Sequence, residues 1–311
     1  MSNTLKAIAF GVVFLLVGLC AKFGLAAFSS NERDDAVATA NIVKAITPTE
    51  NPAVGDITEI PGKHEPKVPD NLSAQASIVI DLSSGEEIFS LHKTERWPLA
   101  SLSKLMSAVV ALENMELEQK VTLSSAAIAT EGVAGGFTTG ETYMIEDLVY
   151  AMMVVSSNDA AVALSENMPA GRFVELMNLK TSELGMNDTR FVEPTGLSML
   201  NQGTVNDLAL LVEYAWSAHP DLFSVSSRKI TIIRELNARK NIRLTNINTL
   251  AERSDFLGGK TGYTEDANEN LISVFSINGK PTTIIILGAD NRIEEANKIL
   301  SFIKNDINAN N

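Results

Sequence analysis

Apolar and polar positions divide the chain into an apolar head, a polar segment with no period, and a long body where strand and helix periods alternate. Residues 7–21 form an uncharged apolar run behind Lys6; Lys22 breaks it, and Phe23 to Phe28 continue it. A full membrane span takes roughly 20 apolar residues, so the run is short for one. At the N-terminus behind a basic residue, it fits a secretory signal peptide or an uncleaved signal anchor over residues 1–28 better than a buried core helix. Leu25-Ala26-Ala27 supplies small residues but no clean Ala-x-Ala, and Leu19 before Cys20 makes a poor lipoprotein site. Either reading exports the rest of the chain, to the outer face of a cytoplasmic membrane, the periplasm or the cell wall. Residues 29–70, punctuated by Pro48, Pro52, Pro61, Pro66 and Pro69, read as a linker.

The body, residues 71–307, opens with a strand over 77–82, a turn at Ser83-Ser84-Gly85 and a returning strand from Glu87 to about His92. Over 101–114, Leu102, Leu105, Met106, Val109, Val110 and Leu112 recur at helical spacing. The same period predicts helices near 144–155, 158–168, 171–185 and 205–218. Strands follow at 229–233, 258–263, 271–277 and 282–287, with Asn278-Gly279 as a hairpin turn between the last two. A helix over 293–303 closes the body, and residues 308–311 are a tail. Two strands, a helical middle, then strands and a closing helix predict one α+β domain whose first and last strands share a sheet.

Composition narrows the chemistry. The chain has 311 residues, 45% hydrophobic and 20% charged, as expected of a globular fold. A net charge of −13 argues against nucleic acid as a partner, because phosphate binding needs clustered Lys and Arg. Cys20 is the only cysteine, so no disulfide and no cysteine-based metal site forms within the chain. His64, His92 and His219 are far apart, and neither H-E-x-x-H nor G-x-S-x-G occurs, which disfavours a zinc enzyme and a Ser-His-Asp hydrolase.

Three short motifs remain. Ser-x-x-Lys occurs at Ser90, Ser101, Ser226 and Ser301, Ser-x-Asn at Ser29, Ser156, Ser165 and Ser276, and Lys-Thr-Gly once, at Lys260-Thr261-Gly262. Context selects among the repeats. Ser101 follows Pro98 and opens an amphipathic helix, where unpaired N–H groups favour developing negative charge. Lys104 shares its helix face and can reach its hydroxyl. The alternative for Ser101 is an ordinary N-cap. Lys104 serves as a base only if its pKa is lowered by burial or by a nearby cation, which Lys260 could supply. Ser156-Ser157-Asn158 lies where one helical pattern ends and another begins, so Ser157 or Asn158 is also a candidate cap. In the functional reading Ser156 lies on a proton path to a leaving amine, and Asn158 faces a substrate amide or Lys104. Ser165 falls inside a helix and Ser29 in the linker. Lys260 and Thr261 open a strand and can bind a terminal carboxylate, the strand edge can pair with an extended peptide, and Gly262 leaves room for close approach of a ligand.

Pro98-Leu99-Ala100-Ser101-Leu102-Ser103-Lys104-Leu105-Met106, Ser157-Asn158-Asp159-Ala160-Ala161, Leu184-Gly185-Met186, Pro194-Thr195-Gly196-Leu197 and Gly259-Lys260-Thr261-Gly262-Tyr263-Thr264 together resemble the low-molecular-weight penicillin-binding proteins, the serine D-Ala-D-Ala carboxypeptidases and endopeptidases. The resemblance covers about residues 70–307. It implies a penicillin-binding/β-lactamase-like fold: an antiparallel sheet flanked by helices, with a helical lobe and the site between them. It implies Ser101 as nucleophile, Lys104 as general base, and an oxyanion hole from the N–H groups of Ser101 and Tyr263. It implies no metal and no organic cofactor; the implied partners are peptidoglycan stem peptides as substrate and β-lactams as covalent inhibitors, with membrane contact through the N-terminal segment if it is uncleaved.

Departures sharpen the choice within that group. The single-domain layout and Phe191-Val192-Glu193-Pro194-Thr195-Gly196-Leu197-Ser198 look closer to the endopeptidase branch, while Ser156 matches the carboxypeptidase form of the second element, which is the reading preferred here. Ala267-Asn268 replaces the family's Ala-Gly; Asn tolerates positive φ, so the turn can survive. Glu193, 35 residues after Asn158 and before a proline, leaves a β-lactamase as a further alternative.

Overall fold

The computed structural model describes Pro69 and residues 71–132 and 134–309. The expected signal segment and all of the linker but Pro69 lie outside the described residues. β1 (Ala76–Asp81) and β2 (Glu86–Leu91) form the predicted opening hairpin. β3 (Trp97–Pro98) and a 3-10 turn, Ala100–Leu102, then lead into α1 (Ser103–Asn114). The helix thus starts two residues later than its apolar period suggests, and Ser101 sits on the tight turn before it.

The helical middle comprises β4 (Lys120–Thr122), α2 (Ser125–Ile128), β5 (Thr142–Met144), α3 (Ile145–Val154), α4 (Asn158–Glu166), α5 (Arg172–Leu184), β6 (Gln202–Gly203), α6 (Val205–Ala218) and α7 (Pro220–Ser226). The four helices predicted here all form. The two- and three-residue strands and α7, a short helix with Pro220 in its first turn, are too brief to leave a period. Ser157 caps α4, its hydroxyl accepting from the Ala160 N–H at 3.1 Å, so the capping reading of that serine holds.

The C-terminal strands are β7 (Ile230–Glu235), β8 (Lys240–Thr245), β9 (Phe256–Thr264), β10 (Asn268–Ile277) and β11 (Lys280–Ala289), followed by α8 (Arg292–Ala309). Helix α8 continues past the predicted end at 303 and includes 308–309. Sheet order is β2-β1-β11-β10-β9, antiparallel throughout, and β1 pairs β11 as the α+β reading requires. Asn278 and Gly279 make the β10–β11 turn, both at positive φ. Strand β7 does not join this sheet; it pairs with β8 in a separate hairpin.

Alternation along the central strands buries both sheet faces. Ala76, Ile78, Ile80, Ile272, Val274, Ile285 and Leu287 face the core shared with the helical lobe. Val79, Leu271, Phe275, Ile284 and Ile286 face Ala296, Ile299, Leu300 and Ile303 of α8. Each such side chain contributes about 1.5–3 kcal/mol on burial. Strand β9 is left as an edge, and the Ser101 turn packs beside it.

Candidate active site

The Ser101 turn is held in place from three sides. Ala100, at φ 48, adopts the left-handed region that a residue with a Cβ rarely occupies. Its carbonyl lies against Gly196, where an added Cβ would sit 1.8 Å from Ala100 O; only glycine fits. On the sheet side, the Asn270 amide donates to Pro98 O at 2.8 Å and accepts from the Gly288 N–H at 2.8 Å. From the third side, Leu99 N–H donates to Asn201 O at 2.8 Å. A Cβ on Gly262 would lie 3.0 Å from Leu99 O and 3.2 Å from the Ser101 N, so this glycine admits the protein's own turn against β9. Gly262 is thus required by the protein's own packing, a role the sequence reading did not foresee. The turn after β9 survives with Asn268 at φ 54.

Lys104, on the first turn of α1, is fully buried. Its ammonium donates to Ser101 Oγ at 2.8 Å and to Thr195 O at 2.6 Å. Burial pulls its pKa from 10.5 to about 7, opposed by the negative charge of Glu193. Lys260 on β9 is also buried; it donates to Ser156 Oγ at 2.8 Å and to Thr261 O at 2.6 Å. Burial holds Lys260 well below its ordinary value, with further depression from the like charges of Lys104 and Arg292. Burial is the main cause of the lowered proton affinity of both lysines, and the repulsion between them, which acts on each, adds to it.

Ser156 links α3 to α4 at φ 58, a second strained position at the site. Asn158 Nδ2 donates to Glu131 O at 2.7 Å, while its Oδ1 is buried without a partner. The expected contact of Asn158 with Lys104 is not made. The orphaned Oδ1 is what a substrate N–H would satisfy. Thr261 is buried, and Tyr263 is exposed on the β9 edge.

Ser101, Lys104, Ser156, Asn158 and Lys260 thus converge from α1, the α3–α4 link and β9, with Thr261, Gly262 and Tyr263 continuing along the edge. The other Ser-x-x-Lys serines do not meet a lysine this way: Ser226 Oγ donates to Phe223 O and Ser301 Oγ to Asn297 O. The arrangement can do nucleophilic chemistry with a lysine base and bind an extended chain along β9. Among the described residues no three His, Cys, Asp or Glu gather as a metal cluster.

Sequence reasoning missed the supports. Glu193, weighed only as an activator of water, has both carboxylate oxygens occupied. Oε2 accepts from the Thr195 N–H and hydroxyl, and Oε1 from the N–H groups of Gly196 and Ser198 and from Asn201 Nδ2. A carboxylate so engaged folds a loop; it is not free to take a proton from water. Asn201 and Asn270 lie far in sequence from the turn they hold. Arg292, partly buried at the start of α8, donates to the carbonyls of Gly262 and Asn270. Only its position just after the last strand could have flagged it.

A family profile described as D-alanyl-D-alanine carboxypeptidase matches residues 63–291. The D-alanyl-D-alanine endopeptidase of Escherichia coli is 31% identical over 224 residues, 70% of this chain and 72% of that protein. The D-alanyl-D-alanine endopeptidase of Pseudomonas aeruginosa is 32% identical over the same shares. Among solved structures, a D-alanyl-D-alanine carboxypeptidase from Mycobacterium tuberculosis superposes with a TM-score of 0.71 at 26% identity, covering 78% of this chain and 95% of that one.

Proposed function

We propose a residue-by-residue mechanism for this chain, which belongs to the D-alanyl-D-alanine carboxypeptidase family. The chain is a serine-type D-Ala-D-Ala peptidase with a penicillin-binding fold, and peptidoglycan is its substrate class. In the mechanism, Ser101 Oγ attacks the carbonyl carbon of the penultimate D-Ala while its proton passes to neutral Lys104 at 2.8 Å. The N–H groups of Ser101 and Tyr263 receive the oxyanion, donors typically worth about 2.7–4 kcal/mol each. The C–N bond breaks, and the departing D-Ala amine takes its proton from the Ser156 hydroxyl; Lys260 Nζ, at 2.8 Å, reprotonates Ser156 and is itself recharged by the proton held on Lys104, which leaves Lys104 neutral again. Lys260, Thr261 and the positive potential of Arg292 hold the terminal carboxylate. Asn158 Oδ1 accepts a substrate amide. In deacylation a water attacks the ester carbonyl and gives its proton to neutral Lys104, which passes it to Ser101 Oγ as the ester bond breaks. The observation that carries this reading is the fully buried Lys104 in contact with the Ser101 hydroxyl, with burial bringing its pKa to about 7.

The test is intact mass spectrometry after incubation with benzylpenicillin, with Ser101→Ala alongside. A persistent adduct of one penicilloyl group on the parent and none on the variant is expected. Drug consumed without an adduct would make the protein a β-lactamase. Drug left intact would remove Ser101 from the nucleophile's role.

An endopeptidase reading has its own support in the two relatives above, which carry that name. Both activities use the same acyl-enzyme and differ in the leaving group. Release of D-Ala from uncross-linked pentapeptides marks the carboxypeptidase, and cutting of cross-linked dimers marks the endopeptidase. We assign the apolar run of residues 1–28 to export, as signal or anchor; fractionation of cells producing the full chain with and without it tests this. Among the described residues no helix is long and apolar enough to cross a membrane.

A further inference from the structure

The β7–β8 hairpin concentrates positive charge in an otherwise acidic protein. Residues 228–247 carry Arg228, Lys229, Arg234, Arg239, Lys240 and Arg243 against a single acid, Glu235, in a chain of net charge −13. All six cations are exposed. Among the described residues none of them has a carboxylate within ion-pair distance; the salt bridges of this protein lie elsewhere. Glu235 is buried and spent on the backbone N–H groups of Thr142, Asn237 and Ala238. The neighbouring Asp147 of α3 meets the hairpin only through the Arg234 N–H, at 3.4 Å.

Alternation sorts the hairpin into two faces. Thr231, Ile233, Glu235 and Leu244 are buried toward the body, while Ile230, Ile232, Arg234 and Arg243 face outward. Ile232 lies directly across from Arg243. Ile230, Ile232 and nearby Ile247 are among the exposed large hydrophobic residues, Ile232 at 53%. A solvent-facing strand pair would normally carry mixed charge. Here one sign is displayed, interleaved with apolar side chains.

The base of this hairpin is linked to two of the three elements that deliver the site's side chains, to β9 through Ser226 and to the end of α3 directly. Asn246 Nδ2 donates to Ser226 O at 2.8 Å, and Ser226 Oγ accepts from the Gly259 N–H, one residue before Lys260. Ile247 N–H donates to Val154 O at 3.2 Å, two residues before Ser156. The basic hairpin is thus tied to the frame of the cleft.

We propose that the exposed β7–β8 hairpin is a docking surface for the polyanionic peptidoglycan strand that carries the scissile peptide, engaging carboxylates outside the cleft through Arg234 and Arg243 on its outward face and Arg239 and Lys240 at its tip. This rests on the D-Ala-D-Ala peptidase reading. Each uncut D-Ala-D-Ala stem ends in a carboxylate, so a polymer bearing many stems presents repeated negative charges and alanyl methyl groups. Clustered Arg and Lys match the former, and Ile230 and Ile232 offer contact to the latter. The remainder of the acidic surface repels the same polymer, so the hairpin also sets the orientation of approach.

The experiment uses the full chain carrying Ser101→Ala, co-sedimented with purified peptidoglycan sacculi. It is repeated with Arg234→Gln, Arg239→Gln, Lys240→Gln and Arg243→Gln combined, and with Lys240→Gln and Arg243→Gln alone in case the fourfold variant does not fold. In parallel, the same substitutions on the Ser101 protein are assayed with a soluble N-acylated tripeptide ending in D-Ala-D-Ala. Expected are a drop in sacculus affinity of about tenfold or more for the fourfold variant, a smaller drop for the double variant, and tripeptide turnover within about twofold of the parent. Raising salt from about 50 to about 200 mM should weaken the parent more than the variants. Unchanged sacculus binding in a folded variant overturns the proposal. So does binding by the parent to anionic phosphatidylglycerol vesicles and not to sacculi, which would make the hairpin a membrane contact. A parent that binds sacculi through the hairpin yet neither turns over the tripeptide nor cuts cross-linked dimers would instead defeat the peptidase reading and leave the surface standing.

Discussion

Two sets of cations divide the work of this protein by their burial. Lys104 and Lys260 are enclosed, each with Nζ within 2.8 Å of a serine hydroxyl, and both lose affinity for their protons. The six cations of the β7–β8 segment stand in water with no carboxylate partner among the described residues. The same residue type therefore has two uses. Desolvation makes an amine that gives up its proton more readily, near pH 7 for Lys104, and exposure keeps a fixed positive charge for binding.

Lys104→Arg tests that contrast with the largest effect. A guanidinium keeps its proton under any working condition, so it cannot take one from Ser101. Acylation by benzylpenicillin should slow by about 10³-fold or more, the scale of a lost general base. Lys240→Arg on the hairpin should leave the rate within about twofold. Equal tolerance at the two positions would break the comparison. The parent's acylation rate should rise with pH to a plateau through about 7, because Lys104 is a base only above its own pKa. Stability should follow the same sign. A lysine whose folded pKa lies below its unfolded value leaves the unfolded chain binding more protons between about 7 and 10.5, so stability increases with pH across that window. Lys104→Met should flatten that dependence in thermal melts recorded from neutral to alkaline pH.

Lys260→Gln comes next. It keeps a donor toward Ser156 but removes the charge that would meet the substrate carboxylate. We expect kcat/KM on a D-Ala-D-Ala peptide to fall by about 10²-fold, within the range of losses for charge-assisted contacts at an active site. A variant at parental activity would remove Lys260 from the site. Gly196→Ala is a structural counterpart, since the new Cβ would meet Ala100 O at 1.8 Å with φ at 83. A loss of about 2–4 kcal/mol is expected by denaturant titration, in line with overpacking added to a forbidden backbone conformation. Parental stability there would mean the Ser101 turn is not propped by that loop.

What the sequence revealed follows the range of the interactions. Ser101 and Lys104 are three apart on one local turn, and Lys-Thr-Gly is contiguous, so both were visible as motifs. The central strands and four of the middle helices announced themselves by period. The supports were invisible because they act across the chain: Thr195 O reaches Lys104 over 91 positions, Asn201 reaches Ser103 over 98, and Asn270 reaches Pro98 over 172. Strand β8, Lys-Asn-Ile-Arg-Leu-Thr, is mostly polar because its outer face meets solvent, and its turn at Asn237-Ala238-Arg239 contains no glycine to mark a hairpin. Arg239 supplies the positive φ there, at 55.

Glu193→Gln is the smallest of these effects and the most specific, because it separates charge from shape. Glu193 opposes burial by favouring the protonated form of Lys104, and its carboxylate folds the loop whose Thr195 carbonyl receives the Lys104 ammonium. The groups facing Lys104 are this carboxylate, Lys260 from β9 with Arg292 behind it, and neutral Ser101. Removing the one negative charge leaves only positive neighbours, so Lys104 should release its proton more readily. The acidic limb of the acylation profile should move down by about one pH unit, the scale of a single charge several ångströms away at intermediate dielectric. The plateau should fall by no more than about tenfold. Glu193→Asp keeps the charge and shortens the reach, so its limb should stay near the parental midpoint while its plateau drops. A limb that stays put in a folded Glu193→Gln protein would mean that burial alone sets the proton affinity of Lys104, and that Glu193 serves only to shape the loop.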